Sequence, residues 1–282
     1  MKFGLYGINV GACADPEAAS SVAQAAEDAG LDSVWTGEHV VLPDPRVPPS
    51  PSEPENPFLD PAVALAFIAG QTERLLLGTG IIILPQRNPL VLAKELASVD
   101  VLSGGRLIFG VGVGYLQPEF EALGIPFADR GPRTTEYVEA IRALWTQPKP
   151  EYKGRFVEFA GIQAQPRPVQ RPHPPIVMGA TSPPALRRTV LHGNGWYGFA
   201  LDVESAGRSI AALREVERGC DRPPELGPLE ISVTPPGRLD PDSVRRYADL
   251  GVDRLIPLGM ARDLDGVLAR VESIGELLAR AG

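Results

Sequence analysis

Short apolar strands alternate with amphipathic helices along this chain, and the alternation repeats eight times. Eight parallel strands joined by helices in 282 residues predict a closed (β/α)8 barrel, with an open doubly wound sheet as the alternative. In such a barrel, chemistry takes place at the carboxyl ends of the strands. The predicted strands are residues 2–8, 33–36, 75–84, 107–113, 176–178, 195–200, 230–233 and 254–258.

We expect one domain, residues 1–282, because a barrel of roughly 250 residues uses nearly the whole chain. Two segments interrupt the repeat. Residues 43–61 hold eight prolines in nineteen positions and predict a semi-rigid loop that forms a wall or lid of the pocket. Residues 148–175 contain seven prolines and a predicted hairpin over 152–159, which indicates an insertion.

Charge and composition exclude several classes of protein. The formal charge of −8 disfavours a nucleic acid partner. No apolar run approaches the ~20 residues that span a bilayer, and the N-terminus does not resemble a signal peptide, so we expect a cytoplasmic protein. Cys13 and Cys220 have neither CxxC nor zinc spacing, and no His, Asp and Glu cluster indicates a metal.

Glu38 and His39 follow the second predicted strand. His39 is the one histidine of three that falls at a strand end on the side of this pocket. It is a candidate for proton transfer near neutral pH, and a structural histidine bonded to a backbone carbonyl is the alternative.

Glycines mark the ends of the third and fourth strands. Thr79 and Gly80 lie in an otherwise apolar run, where glycine indicates a bulge, a close approach of a ligand or tight packing. The run 110–115 contains Gly112, Gly114 and Tyr115 and is similar to a dinucleotide fingerprint, but the barrel context argues against a Rossmann unit. We interpret it as backbone exposed to a planar or phosphate-bearing ligand.

The fifth strand ends in Gly179, Ala180, Thr181 and Ser182, directly before a predicted helix. Backbone N–H groups, two hydroxyls and the positive end of a helix dipole favour a phosphate site there. Simple N-capping by Ser182 is the alternative reading of the same residues. No lysine and carboxylate arrangement typical of a Schiff-base aldolase is present, so a redox cofactor with a phosphate tail is the remaining fit.

As a set, these segments closely resemble the luciferase-like oxidoreductase superfamily, from the N-terminus to about Trp196. The residues that carry the resemblance are 30–39, 78–80, 93–94, 100–106, 110–115, 119–120, 124–126, 130–131, 172–175, 179–188 and 193–196. The last third is similar only in its rhythm of strands and helices.

The resemblance implies a luciferase-like (β/α)8 barrel that binds FMN or the deazaflavin coenzyme F420, and the pattern is most similar to the actinobacterial F420-dependent branch. By this resemblance His39 lies beside the deazaflavin ring, and Thr79 and Gly80 support the ring, often through a non-proline cis peptide. The fourth-strand residues Gly112, Gly114 and Tyr115, with residues 179–182, take the ribityl chain and phosphate. Asn9 is the candidate for the polar residue that the family places at the end of the first strand.

The sequence therefore predicts an F420-dependent oxidoreductase that transfers a hydride between the cofactor and a small organic substrate, with His39 and Glu38 as catalytic residues. Relatives imply a homodimer. Three alternatives stay open: an FMN-dependent monooxygenase that uses reduced flavin and oxygen, a non-catalytic cofactor-binding homologue, and an unrelated phosphate-binding lyase or isomerase barrel.

Overall fold

The computed structural model describes residues 1–179 and 181–281 and contains all eight predicted barrel strands. Each strand pairs in parallel with its neighbours, and pairing of the first strand with the last and of the third with the fourth closes the barrel. The (β/α)8 prediction is confirmed. The strands are β1 Lys2–Tyr6, β2 Ser33–Thr36, β3 Leu76–Thr79, β4 Leu107–Gly112, β5 Ile176–Gly179, β6 Gly195–Phe199, β7 Glu230–Thr234 and β8 Arg254–Leu255.

Five helices begin at a proline, whose fixed φ suits the first turn and whose missing N–H needs no partner there. No described helix is long and apolar enough to cross a lipid bilayer. The helices are α1 Pro16–Asp28, α2 Pro61–Ala69, α3 Pro89–Leu102, α4 Gln117–Ala122, α5 Arg130–Thr146, α6 Pro183–His192, α7 Val203–Arg218, α8 Pro241–Asp249 and α9 Leu264–Ala281.

Two of these helices have no periodic signal in the sequence. α2 is apolar on nearly every side, so it has no helical period of polar and apolar residues to detect. α4 has six residues, which is too short for a periodic pattern. α2 is the outer helix between β2 and β3, whereas α4 lies in the connection after β4 and contributes directly to the site described below.

Two predicted strands are shorter in the structure. The third was expected over 75–84, but β3 ends at Thr79, and Ile82–Ile83 form a separate two-residue strand that pairs with the end of β4. The eighth was expected over 254–258. It ends at Leu255, because Pro257 has no N–H to donate to a neighbouring strand. Beyond it, Leu258 forms only an isolated β-bridge with Tyr6.

Aromatic and branched side chains fill the barrel interior, with Trp35 stacked on Tyr197 at 5.6 Å between ring centroids. At the amino end of the barrel, Arg254 is 1% exposed and forms ion pairs with Asp32 and Glu230. This end is closed by packing and by ion pairs. The cavity described next lies at the other end.

The insertion carries the predicted hairpin, with strands Tyr152–Lys153 and Glu158–Phe159 paired antiparallel. The carboxylate of Glu136 on α5 accepts hydrogen bonds from the backbone N–H groups of residues 155–157. The hairpin is therefore attached to the outer face of the barrel.

Candidate active site

A cavity of about 550 Å³ opens at the carboxyl ends of the barrel strands. This volume lies within the roughly 300–1,000 Å³ that is usual for small-molecule and cofactor sites. Its walls are mainly apolar side chains and backbone, with few polar groups. Seven of the eight strand ends contribute: Tyr6, His39, Gly80, Gly114, Gly179, Phe199 and Leu258.

His39 lies at the wall of this cavity with its side chain 8% exposed. Its Nδ1 atom is 3.1 Å from Oε2 of Glu119, whose side chain is fully buried. The rings of Phe58 and Tyr115 contact the imidazole edge-on, at 5.6 and 6.0 Å between centroids. Because a carboxylate accepts, this contact favours the tautomer of His39 in which Nδ1 carries the proton and Nε2 does not. The partner of Nδ1 is thus a carboxylate and not the backbone carbonyl of the structural alternative.

Glu119 is a site residue that sequence reasoning missed. It lies on α4, 80 positions from His39. Its second oxygen, Oε1, accepts the N–H of Val40 at 2.6 Å and that of Val41 at 3.4 Å. One buried carboxylate therefore fixes both the imidazole and the backbone that follows it. The only signal was the Glu119-Phe120 pair in the family pattern, which carried no role.

Glu38, predicted as the second catalytic group, forms an ion pair with Arg87 and accepts the Ile83 N–H. Arg87 Nε donates to Oε1 of Glu38 at 3.0 Å, and its guanidinium also bonds Asp60 at 2.7 Å. Burial raises the pKa of Glu38, and the Arg87 guanidinium opposes that rise. The structure brings Glu38 to Arg87, while Glu119 takes the place beside His39. This arrangement favours a structural role for Glu38.

Asn9 is fully buried and does not line the cavity. Its side chain donates to Gly37 O at 2.9 Å and to Leu59 O at 2.6 Å, and accepts from Gly37 N at 2.8 Å. Asn9 therefore holds the turn before His39 and the end of the proline-rich loop in place. This position supports the site from behind and not by contact with a ligand.

Thr79 and Gly80 lie at the end of β3 and differ in what they contact. Thr79 is buried, and its hydroxyl donates to Gly110 O at 2.8 Å and accepts from Gly110 N at 2.7 Å. Gly80 lines the cavity, and the Gly80–Ile81 peptide bond is cis. Backbone at Gly80 and the side chain of Ile81 thus form one wall of the cavity.

Gly112 lies behind this wall. A Cβ atom at position 112 would be 1.6 Å from Cδ1 of Ile81, so glycine is needed for Ile81 to pack there. Gly114 has φ of +78° and lines the cavity. Tyr115, which follows it, is 50% exposed at the rim, and burial together with the charge of Glu119 raises the pKa of its phenol.

The fifth strand leads into the segment predicted to bind phosphate. Gly179 and Thr181 line the cavity, and Ala180 lies outside the described residues. The Ser182 side chain makes no capping hydrogen bond, so the N-capping alternative is not observed. α6 starts with Pro183 and Pro184, and the next N–H, of Ala185, bonds Ser182 O at 2.9 Å. Hydroxyls and loop N–H groups, rather than helix N–H groups, are the donors available here.

The proline-rich loop forms another wall, as its sequence indicated, through Pro51, Ser52, Asn56 and Phe58. Arg46 ties the loop to itself by donating to Ser50 O at 3.1 Å and to Glu53 at 2.6 Å. The wall is therefore an ordered segment that shields His39 from solvent.

A group of three or more His, Cys, Asp or Glu side chains placed to hold a metal ion is not found among the described residues. The polar groups of the cavity are instead the His39 imidazole, hydroxyls, the Asn56 amide, backbone amides and the Glu38 carboxylate, which is already paired with Arg87. This donor set suits an organic cofactor with a planar ring and a phosphate tail.

Comparison with known proteins identifies the family. Residues 4–277 match the model of the luciferase-like monooxygenase family. An uncharacterized protein of Mycobacterium tuberculosis (strain H37Rv) is 32% identical over 272 residues, which are 92% of this chain and 93% of that protein. The chain belongs to the luciferase-like monooxygenase family, and it is therefore an oxidoreductase.

Solved structures share the fold. The monooxygenase RslO1 from Streptomyces bottropensis superposes with a TM-score of 0.81 at 23% identity, covering 100% of this chain and 99% of that one. An F420-dependent secondary alcohol dehydrogenase bound to an F420-acetone adduct superposes with a TM-score of 0.78 at 16% identity, covering 96% and 97%. Other relatives are flavin-dependent monooxygenases. Members of the family thus use F420 or reduced FMN.

Proposed function

We propose that this chain is an F420-dependent oxidoreductase that transfers a hydride between the deazaflavin and a small organic substrate. The observation that carries the proposal is His39, fixed by a buried carboxylate at the wall of an apolar cavity. Hydride transfer to or from a carbonyl, imine or enone requires one proton to move at the substrate, and an imidazole with a fixed tautomer can move it.

The residues present fit the cofactor. The apolar wall formed by Gly80 and Ile81 suits the ring system, and His39 lines the same cavity. Gly114 and Tyr115 would hold the ribityl chain, with the phosphate on the hydroxyls of Thr181 and Ser182. When bound, the deazaflavin supplies a ring carbon that accepts or delivers a hydride.

The protein's own work is positioning, proton transfer and exclusion of water. His39 takes a proton at Nε2 or gives one up there, while Glu119 keeps Nδ1 protonated and the ring oriented. Tyr6 and Phe199, whose rings lie 5.0 Å apart, form an apolar floor for the substrate. The loop residues Pro51 and Phe58 cover the cavity, which strengthens the electrostatic interactions inside it.

Anaerobic turnover tests the proposal. Chemically reduced F420 and oxidised F420 would be offered with a panel of enones, imines, ketones and alcohols, and the absorbance of the cofactor followed. We expect turnover with at least one substrate, reduced about 100-fold or more in His39→Ala. Product formed only from reduced FMN and oxygen would instead identify an FMN-dependent monooxygenase, and activity with neither would favour a non-catalytic homologue.

We also propose a homodimer, formed through α2 and α3. α2 is apolar on nearly all sides although Val63 and Phe67 are exposed at 68% and 41%, and Val91 on α3 is exposed at 56%. Exposed apolar side chains on adjoining helices favour a protein interface. A cytoplasmic location stays a prediction from the sequence.

A further inference from the structure

A second cavity, of about 350 Å³, lies beside the first one. It is an open cavity bounded by the segment after β7, the segment after β8 and one face of α9. Leu258 lines both cavities, so they are neighbours. The second cavity is lined by Gly237, Arg238, Leu239, Pro257, Leu258, Ala261, Gly266, Ala269, Arg270, Ser273, Ile274 and Leu277.

The charged side chains that line this cavity are basic. Among the described lining residues only Arg238, which is exposed, and Arg270, which is half-buried, are charged, and neither forms an ion pair with a described carboxylate. Arg270 Nη1 donates to Leu258 O at 3.1 Å, which holds its guanidinium beside the residue that both cavities share. Its other N–H groups have no described partner.

Two acidic residues near the cavity accept backbone N–H groups. Asp240 caps α8 by accepting the Ser243 N–H at 2.7 Å, and Asp263 accepts the Gly266 N–H at 3.0 Å. In a chain of net charge −8, two arginines without acidic partners in one cavity indicate a binding site for an anion.

The rest of the lining is apolar. Leu239, Ile274 and Leu277 form a surface against which a short hydrocarbon body would bury its area, and arginine forks recognise a carboxylate by paired hydrogen bonds. We propose that this second cavity binds a small organic carboxylate with an apolar body, with its carboxylate on Arg270 and Arg238. The site is distinct from the cofactor cavity, and the inference does not depend on which cofactor the protein uses.

Calorimetric titration with octanoate tests the proposal. Ala269 is an exposed lining residue of α9, so Ala269→Trp fills the cavity from its rim, while Ala279→Trp places the same side chain on α9 outside the lining. We expect octanoate to bind the wild-type protein and Ala279→Trp alike and to lose binding in Ala269→Trp. Thermal melting of both variants shows that they are folded.

The charge requirement is tested with Arg270→Gln and a control on the same helix, Arg280→Gln, whose ion pair with Glu276 is exposed. A lost charge-assisted bond corresponds to a loss of affinity of about 10- to 100-fold in Arg270→Gln, with no change in Arg280→Gln. Octanol, which lacks the charge, should bind the wild-type protein at least about 10-fold more weakly. The proposal would be overturned if octanoate did not bind. It would also be overturned if Ala269→Trp and the wild-type protein bound octanoate equally, because octanoate would then occupy another site, such as the main cavity.

Discussion

Glu119 Oε2 lies 3.1 Å from His39 Nδ1, although α4 and the turn after β2 are 80 residues apart in the chain. Both side chains are nearly or fully buried. The orientation of the His39 imidazole therefore depends on α4, a short helix that belongs to another connection between a strand and a helix. In the folded chain, His39 is therefore one member of a carboxylate–histidine pair, and its Nε2 atom takes no part in that pair.

Replacing Glu119 by Gln should reduce turnover without abolishing cofactor binding. Gln has one accepting oxygen where Glu119 uses both, so either His39 Nδ1 or the Val40 N–H loses its acceptor. We expect kcat to fall by about 10- to 100-fold with little change in KM, and the pH profile of kcat to change shape. Glu121→Gln, on the same helix with an exposed side chain, should behave as wild type. Equal kinetics of the two variants would show that Glu119 has no positioning role.

Replacing Arg87 by Met should destabilise the fold in a pH-dependent way. The variant leaves Glu38 buried without a cation, which corresponds to about 3–5 kcal/mol of unfolding free energy. Burial already raises the pKa of Glu38, and loss of Arg87 raises it further. The folded variant then binds more protons than the unfolded chain, so its stability falls as pH rises through that pKa and recovers on acidification.

Denaturant unfolding of Arg87→Met between about pH 5 and pH 8 measures this effect. The control is Arg245→Met, which removes an exposed ion pair with Asp242 and should change stability by at most about 1 kcal/mol. A destabilisation of Arg87→Met that is independent of pH would mean that Glu38 is not the group left without a partner.

The packing of Gly112 against Ile81 gives a double-mutant prediction. Gly112→Ala places a Cβ at 1.6 Å from Cδ1 of Ile81, so the Ile81 side chain must move into the cavity. We expect about 1–3 kcal/mol of destabilisation and weaker cofactor binding. Ile81→Val removes Cδ1 and should restore much of both losses in the double variant.

Gly110→Ala is the matched control, because its Cβ would meet the backbone oxygen of Thr79 at 1.8 Å. Trimming Ile81 cannot relieve a backbone clash, so Ile81→Val should not rescue this variant. Rescue of both glycine variants to the same extent would contradict the assignment of Gly112 to the wall behind Ile81.

The proposed homodimer predicts that charge on α2 separates the subunits. Val63→Lys with Phe67→Lys should convert a dimer into a monomer in analytical ultracentrifugation, because lysine ammonium groups would be buried without partners in the interface. Ile162→Lys, at a residue 38% exposed in the insertion, should leave the assembly unchanged. A wild-type protein that sediments as a monomer at micromolar concentration would disprove the dimer.

Strand order and most helix boundaries follow from the sequence because local signals mark them. Apolar runs of strand length mark the eight strands, and proline at the first helical position marks the start of α3 and α6. α2 has no periodic signal, because a helix that is apolar on all sides shows no alternation of polar and apolar residues. The length of β3 was overestimated because an unbroken apolar run does not show where backbone pairing stops.

Within the site, position relative to the strand ends predicted that His39, Gly80, Gly114, Tyr115, Gly179 and Thr181 line one cavity. Partners could not be predicted in the same way. Glu38 and Glu119 are both carboxylates, and only the folded chain shows that Arg87, 49 residues away, takes the first and His39 the second. Such pairings depend on long-range packing, which leaves no periodic trace in the sequence.

Equilibrium binding of the purified apo-protein to F420 and to FMN, each followed by its own fluorescence, tests the central claim most directly. We expect preferential binding of F420, weakened in the double variant Thr181→Ala with Ser182→Ala and abolished in Gly80→Trp, whose side chain would fill the space beside Ile81. Preferential binding of FMN, or binding of neither cofactor, would contradict it.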